Sequence, residues 1–347
     1  MPALQEATER LLRDFAGEQL ARCAHSALLG ELYTTPKPGL VDRSNCGAHS
    51  DMDLPLFEAS ARSLYPYFVE AAKLGMAACE PEGLRQAGRE GEAAMFSATG
   101  GVNTHKGLIF ASAILCGALG KIYKDAFQLG KKPPVPLGAV VGECKKLGRC
   151  SLKDFKAEDR RQDVSAGTGH RRSPEETAGE RIHTAYGIAG ARGEAALGFP
   201  SALTIGLPAL KAWLSQGFSL NDAAVLTLLS LLSQVDDTNM IHRGGLTEAA
   251  AGKKEAGALL AELTPESFRE KTAALDQSFI KRNLSPGGCA DLLAVSLMIC
   301  FFRGKRDDRL GSSPFFPRYP APVLLRHLCG APGRDCPQRS PRMGYPS

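Results

Sequence analysis

Apolar residues recur along most of this chain every three or four positions. Over residues 8–33, Leu12, Phe15, Ala16, Leu20, Cys23, Ala27 and Leu28 share one helical face. Pro36 and Pro38 end that helix, because proline lacks the N–H and clashes with the preceding turn. The same periodicity predicts helices at about 54–79, 82–97, 104–120, 136–148, 176–189, 201–216, 220–235, 246–262, 265–282 and 287–302. Ser219 with Asp222 reads as a capping-box-like start. Thr264-Pro265-Glu266 reads as a cap with proline at the first helical position, and Phe268, Thr272, Leu275 and Phe279 continue at helical spacing. No stretch sustains a period of two. The expected fold is all-α, a single multi-helix domain over residues 1–303.

Five polar, glycine-rich segments interrupt this pattern: TPKPGLVDRSNCGAHSDMD (35–53), ATGGVNTHKG (98–107), YGIAGARGEA (186–195), DDTNMIHRGG (236–245) and NLSPGGCADLL (283–293). A helical scaffold has no need of them, and they are expected to converge on one nucleotide site. Residues 154–178 are highly charged with few apolar anchors and read as a loop, either a lid or a solvated linker. Residues 304–347 hold eight prolines and little periodicity, and read as a disordered Pro/Arg-rich tail.

Charge changes the picture once it is divided. The net charge is +5, yet residues 303–347 carry nine Lys/Arg against three Asp/Glu, leaving 33 basic and 34 acidic residues in 1–302. The body is balanced, so composition gives no support for nucleic-acid binding. The interrupted apolar runs 223–232 and 292–302 are too short to span a bilayer, and the N-terminus is amphipathic rather than a signal peptide, so no membrane partner is expected. Ten cysteines without a C-x-x-C pair read as reduced thiols in a cytoplasmic protein, several of them core fillers.

In 35–53, Asp42, Arg43, Asn45, His49, Asp51 and Asp53 crowd together; Asp51 and Asp53 are placed to share a metal, to supply a base, or to cap the helix near Leu54. In 98–107, Asn103 is placed to cap a helix whose free N–H groups, with His105 and Lys106, suit an anion. The Walker pattern is absent, since Gly107 follows Lys106. Arg192 and Glu194 sit among small residues that admit a ligand or form an internal pair. Asp236 and Asp237 follow an apolar helix, where the macrodipole disfavours negative charge unless a cation such as Mg²⁺ offsets it. Asn239, His242 and Arg243 lie within two turns, and Ser285 with Gly287 and Gly288 opens the last helix. The acids and cations with no zinc-like Cys/His pattern point to Mg²⁺ and a polyphosphate.

TPKPGLVDRSNCGAHSDMD, GGVNTHKG, GARGEAALGFP, DDTNMIHRGG and NLSPGGCADLLAV, in this order, resemble the triphosphoribosyl-dephospho-CoA synthase family over about residues 20–300. The resemblance implies an all-α enzyme that joins ATP to 3′-dephospho-CoA and releases adenine. The product would be the precursor of the prosthetic group of citrate lyase, with malonate decarboxylase as the alternative. A separate transferase would then load it onto the acyl carrier protein.

That chemistry assigns Mg²⁺ to Asp236 and Asp237, and phosphates to Lys106, Arg192 and Arg243 with the turns at Gly100–Gly101 and Gly287–Gly288. Asp51 or Glu194 would be the base, and His49, His105 or His242 would protonate adenine. Asp42, Arg43, Asn103, Asn239 and Ser285 join the nucleotide-binding set. The rival class is a Mg-ATP-dependent hydrolase or phosphotransferase built on the same acids.

Overall fold

The computed structural model describes residues 2–78, 80–128, 136–149, 178–188, 190–264 and 266–303, with side chains over residues 10–302 of these. They fall in one compact unit, Met1–Arg306; a second, Asp307–Ser347, lies outside the described residues. So does the charged loop expected at 154–178, apart from Ala178.

Among the described residues there are twelve α-helices and no strand. They are α1 (Pro2–Tyr33), α2 (Leu54–Met76), α3 (Pro81–Ala98), α4 (Lys106–Gln128), α5 (137–149), α6 (Ala178–Tyr186), α7 (Gly190–Ala196), α8 (Leu207–Ser215), α9 (Leu220–Leu232), α10 (Thr238–Glu262), α11 (Phe268–Lys281) and α12 (Gly287–Arg303).

Local chemistry explains several boundaries. Asp53 accepts the Leu56 N–H at 2.9 Å and starts α2, and the Ser219 hydroxyl accepts the Asp222 N–H at 3.1 Å and starts α9. The helix expected at 176–189 stops at Tyr186, because Gly187 turns to φ +72°. The helix expected at 201–216 opens with a π turn, Ala202–Gly206, that runs into α8. Thr264 is not the helix cap expected there: it closes a turn with Ser267, and α11 begins at Phe268. The polar segment 236–245 is itself mostly helical, since α10 begins at Thr238 and is broken only where Gly245 adopts φ 80°, ψ 169°.

Helix α2 packs on α1, α3 and α4, while α12 packs on α1, α4 and α9. A Cβ on Gly75 would stand 1.9 Å from the Gly117 carbonyl oxygen, so α2 and α4 meet backbone to backbone. Helix α4 is longer and more apolar than the sequence reading allowed. By length and composition it could cross a membrane, but 72% of its apolar window is buried inside the bundle. Cys116, Cys144, Cys289 and Cys300 are buried in the core, as expected of fillers. The burial that ties α4 to α12 also brings the first turns of these two helices together, and the site is built there.

Candidate active site

The loop between α1 and α2 is held by two acids. Asp42, itself buried, accepts the N–H groups of Lys37 at 2.9 Å, Ser44 at 2.6 Å and Asn45 at 3.2 Å. Asp276 of α11 accepts the Gly39 N–H and the Asn45 side-chain amide, both at 2.8 Å. This bracing turns Lys37 inward, where Nζ donates to the Glu31 carbonyl at 2.9 Å and to Glu31 Oε1 at 2.6 Å. Lys37 is 2% exposed and Glu31 5%. Arg43 instead lies at the surface, its guanidinium donating to Asn221 Oδ1 at 3.1 Å.

Beside this loop the described residues enclose a cavity of about 1010 Å³. That is at the upper end of small-molecule sites, which run from about 300 to 1,000 Å³. All five polar segments contribute to its wall: His49 and Asp51; Asn103 to Gly107; Gly190 to Glu194; Asp236 to Asn239 with His242 and Arg243; and Ser285, Gly287, Gly288 and Asp291. Asp42 and Arg43 are not in the wall, which corrects their placement in the nucleotide-binding set: the loop uses Asp42 for its own N–H groups and Arg43 for Asn221. The Gly100–Gly101 turn is not in it either.

The acids divide by environment. Asp237 caps α10, its Oδ1 accepting the N–H groups of Asn239 at 2.8 Å and Met240 at 3.0 Å, while Oδ2 accepts the Cys289 N–H at 2.7 Å. Burial still holds its carboxyl above the usual range, against the pull of these bonds. Asp291 takes no hydrogen bond from a described residue, and its Oδ2 lies against the Cα of Gly107, where a Cβ would stand 2.2 Å away. Burial, then the charges of Glu31 and Asp237, push its carboxyl well up. Glu194 accepts the Ser201 hydroxyl at 2.5 Å and the Ser201 N–H at 3.1 Å, and burial raises its carboxyl too. Asp236, by contrast, is exposed and ion-paired with Lys253 at 2.6 Å. Asp51 is exposed and lies 3.9 Å from His49 Nδ1.

The cations of the wall already have partners. Lys106 lies 3.1 Å from Glu92, and Arg192 pairs with Glu180 at 2.9 Å rather than with Glu194. Arg243 clamps two loops, donating to the carbonyls of Ala48 and Asn283 and to the Asn283 side chain. Asn103 caps α4 through the Lys106 N–H at 3.3 Å.

His49 Nε2 bonds the Ser285 hydroxyl at 2.8 Å, so this serine serves the histidine. Burial and the Arg243 charge lower the His49 pKa, with Asp51 pulling the other way. His105 is lowered further, to about 3, by burial and by the Lys37 charge. Burial and the lysine charge both oppose an imidazolium at His105. His242 is exposed at the cavity wall.

Among the described residues no group of three or more His, Cys, Asp or Glu side chains is arranged around a metal ion. Mg²⁺ travelling with a polyphosphate needs only one or two protein carboxylates. Asp237 and Asp291 suit it, since burial opposes the charge of both, the Asp237 charge also opposes that of Asp291, and a cation between phosphate and carboxylate would relieve them. The pairing of Asp236 with Asp237 expected from sequence suits it less, because Asp236 is turned to Lys253.

Sequence reasoning missed Glu31, Lys37, Glu92 and Glu180 and left Asp291 without a role, although all line the cavity. One signal was there to be used. Glu31 stands in the last turn of α1, where the macrodipole disfavours an acid, the reasoning that singled out Asp236 and Asp237.

Residues 17–309 match the model of a family described as ATP:dephospho-CoA triphosphoribosyl transferase. The chain is similar to a probable 2-(5″-triphosphoribosyl)-3′-dephosphocoenzyme-A synthase of Vibrio cholerae, at 39% identity over 80% of this chain and 85% of the relative. A probable synthase of the same description from Pseudomonas aeruginosa is 39% identical over 83% and 92%. The 2-(5″-triphosphoribosyl)-3′-dephosphocoenzyme-A synthase of Klebsiella pneumoniae is 36% identical over 86% and 96%. No solved structure matches.

Proposed function

The chain belongs to the ATP:dephospho-CoA triphosphoribosyl transferase family, and on that premise we propose that it transfers the triphosphoribosyl group of ATP to 3′-dephospho-CoA. Adenine leaves, and 2′-(5″-triphosphoribosyl)-3′-dephospho-CoA forms. The observation that carries this reading is the pair of desolvated carboxylates, Asp237 and Asp291, in a cavity whose wall also holds Lys106 and Arg192. A polyphosphate with its cation complements that arrangement, and a cavity of about 1010 Å³ suits two nucleotide substrates.

Asp237 and Asp291 would hold Mg²⁺, which when bound neutralises phosphate charge and fixes the triphosphate. Lys106 and Arg192 turn from Glu92 and Glu180 toward phosphate oxygens. Glu194 takes the proton of the ribose 2′-hydroxyl, whose oxygen bonds to C1′ of the ATP ribose as the C1′–N9 bond breaks. A raised carboxyl held by Ser201 is suited to accept that proton, and more so than the exposed Asp51. His242 gives a proton to the departing adenine. The triphosphate is kept whole. The enzyme would work in the cytoplasm, and its product would pass by way of a separate transferase to the acyl carrier protein of citrate lyase; support for that destination over malonate decarboxylase comes from the wording of GGVNTHKG and DTNMIHRGG alone.

The test is incubation with ATP, Mg²⁺ and 3′-dephospho-CoA, with products read by chromatography and mass. Free adenine with a triphosphoribosyl adduct of dephospho-CoA is the expected result. ADP or phosphate without adenine would replace the reading with a hydrolase or phosphotransferase.

A further inference from the structure

Thr104, Ser60 and His105 form a chain of side-chain bonds beside the cavity. Thr104 Oγ1 donates to Ser60 Oγ at 2.7 Å, and Ser60 Oγ lies 2.7 Å from His105 Nδ1. With Thr104 as donor, the Ser60 hydroxyl has its own proton to give, and Nδ1 is its acceptor. Nδ1 is therefore the bare nitrogen, and the proton of the neutral ring sits on Nε2. Nε2 is buried and has no hydrogen-bond partner among the described residues. Phe57 meets the ring edge to face at 4.9 Å between centroids, which fixes its plane.

Lys37 supplies the second part. Its ammonium, sealed from solvent, gives two of its three protons to Glu31 and, among the described residues, has one left to give. Lys37 and His105 line the same cavity, and the lysine charge is felt at the imidazole. Two spare N–H donors, one of them on an ammonium paired on its other side with Glu31, call for an anionic oxygen rather than for a cation.

We propose that His105 Nε2–H and the remaining Lys37 N–H form a two-donor subsite for a phosphate oxygen, with Ser60 and Thr104 as positioning residues that fix the tautomer of His105. The source of that oxygen, the triphosphate of ATP or the diphosphate of dephospho-CoA, rests on the proposed transfer reaction; the tautomer does not. Burial also keeps the ring neutral, so Nδ1 stays an acceptor for the Ser60 hydroxyl across the working pH range.

The experiment is ¹⁵N spectroscopy of histidine-labelled protein, with His105 assigned by its loss in His105→Gln. A bare Nδ1 and a protonated Nε2, unchanged between about pH 5 and pH 8, are expected. Inorganic triphosphate with Mg²⁺, dephospho-CoA and adenosine are then added separately. A shift of Nε2–H with triphosphate places the oxygen on ATP, and a shift with dephospho-CoA alone places it on the second substrate. A shift with adenosine alone, or with none of the three, overturns the subsite. A titrating imidazolium or a protonated Nδ1 overturns the tautomer.

Ser60→Ala should mix the two tautomers and weaken triphosphate binding by about tenfold, the scale of one hydrogen bond. Unchanged spectra and binding in that variant would remove the positioning role. None of these readouts needs turnover, so failure of the subsite and failure of the transfer reaction are separately visible.

Discussion

Asp42 and Asp237 do the same local work in two regions of the molecule. Each is buried, each accepts three backbone N–H groups, and each stands in a polar segment between helices. They differ in what lies beyond the carboxylate. Around Asp42 the other side chains complete a loop, braced from α11 by Asp276, and the cavity wall excludes it. Around Asp237 the chain opens onto the cavity, with a second unbalanced acid, Asp291, close enough to be raised by it. Capping satisfies N–H groups in both places, and only at Asp237 is there charge left for a ligand to meet.

The largest effect is expected from Asp237→Asn. Asparagine is nearly as good a helix cap, so the fold should survive with some loss of stability where its amide NH2 faces the Cys289 N–H, while kcat/KM should fall by about 10²–10³, the scale of losing one preorganised electrostatic group. Steady-state kinetics beside a circular dichroism spectrum make the comparison. Activity within tenfold of the parent would make Asp237 a structural acid like Asp42, and the distinction would collapse.

Asp42→Ala should give the reverse pattern. Three N–H groups lose their acceptor, and stability should fall by about 2–4 kcal/mol by denaturant titration, while turnover per folded molecule should fall far less than in Asp237→Asn, only as far as Lys37 loses its place. A large loss of turnover at full folding would bring Asp42 back to the site.

The smallest effect concerns stability and pH at Asp291. Its folded-state carboxyl is raised above the unfolded value, so the folded chain binds that proton more tightly than the unfolded chain does. Protonated Asp291 therefore favours folding at low pH, and the benefit is lost as pH rises through the folded value. Asp291→Asn, which removes the charge, should be more stable than the parent near neutral pH. The gain should shrink as pH falls into the ordinary carboxylate range, as read from thermal unfolding without Mg²⁺. A gain independent of pH would mean that the charge of Asp291 is already offset within the protein.

The helices were legible because burial of an apolar face imposes a period that any reader of the chain can see. Hence α2, α3, α5, α9 and α12 lie close to the expected ranges. The break at Gly245 was not legible in the same way, because glycine both breaks helices and tolerates them, and packing chose. Nor was the length of α4, whose later turns carry lysines, a tyrosine and an acid among the apolar residues.

The candidate site was legible as a set of segments and not as a set of roles. Acids, histidines and glycines in NTHKG, GARGE, DDTN and SPGG marked places where the chain departs from what a core requires. Which acid keeps an unanswered charge depends on residues far away in sequence. Lys253 takes Asp236, Ser201 takes Glu194, and Glu180 takes Arg192. Among the described residues Asp291 is left with Gly107 and no donor. The sequence alone determined the helical class, the polar interruptions and the family. The tertiary structure decided burial and partnership, because desolvation and hydrogen bonding are properties of a neighbourhood assembled from distant segments, and they set which side chain is a cap, which a neutral donor and which a charge still waiting for a counter-charge.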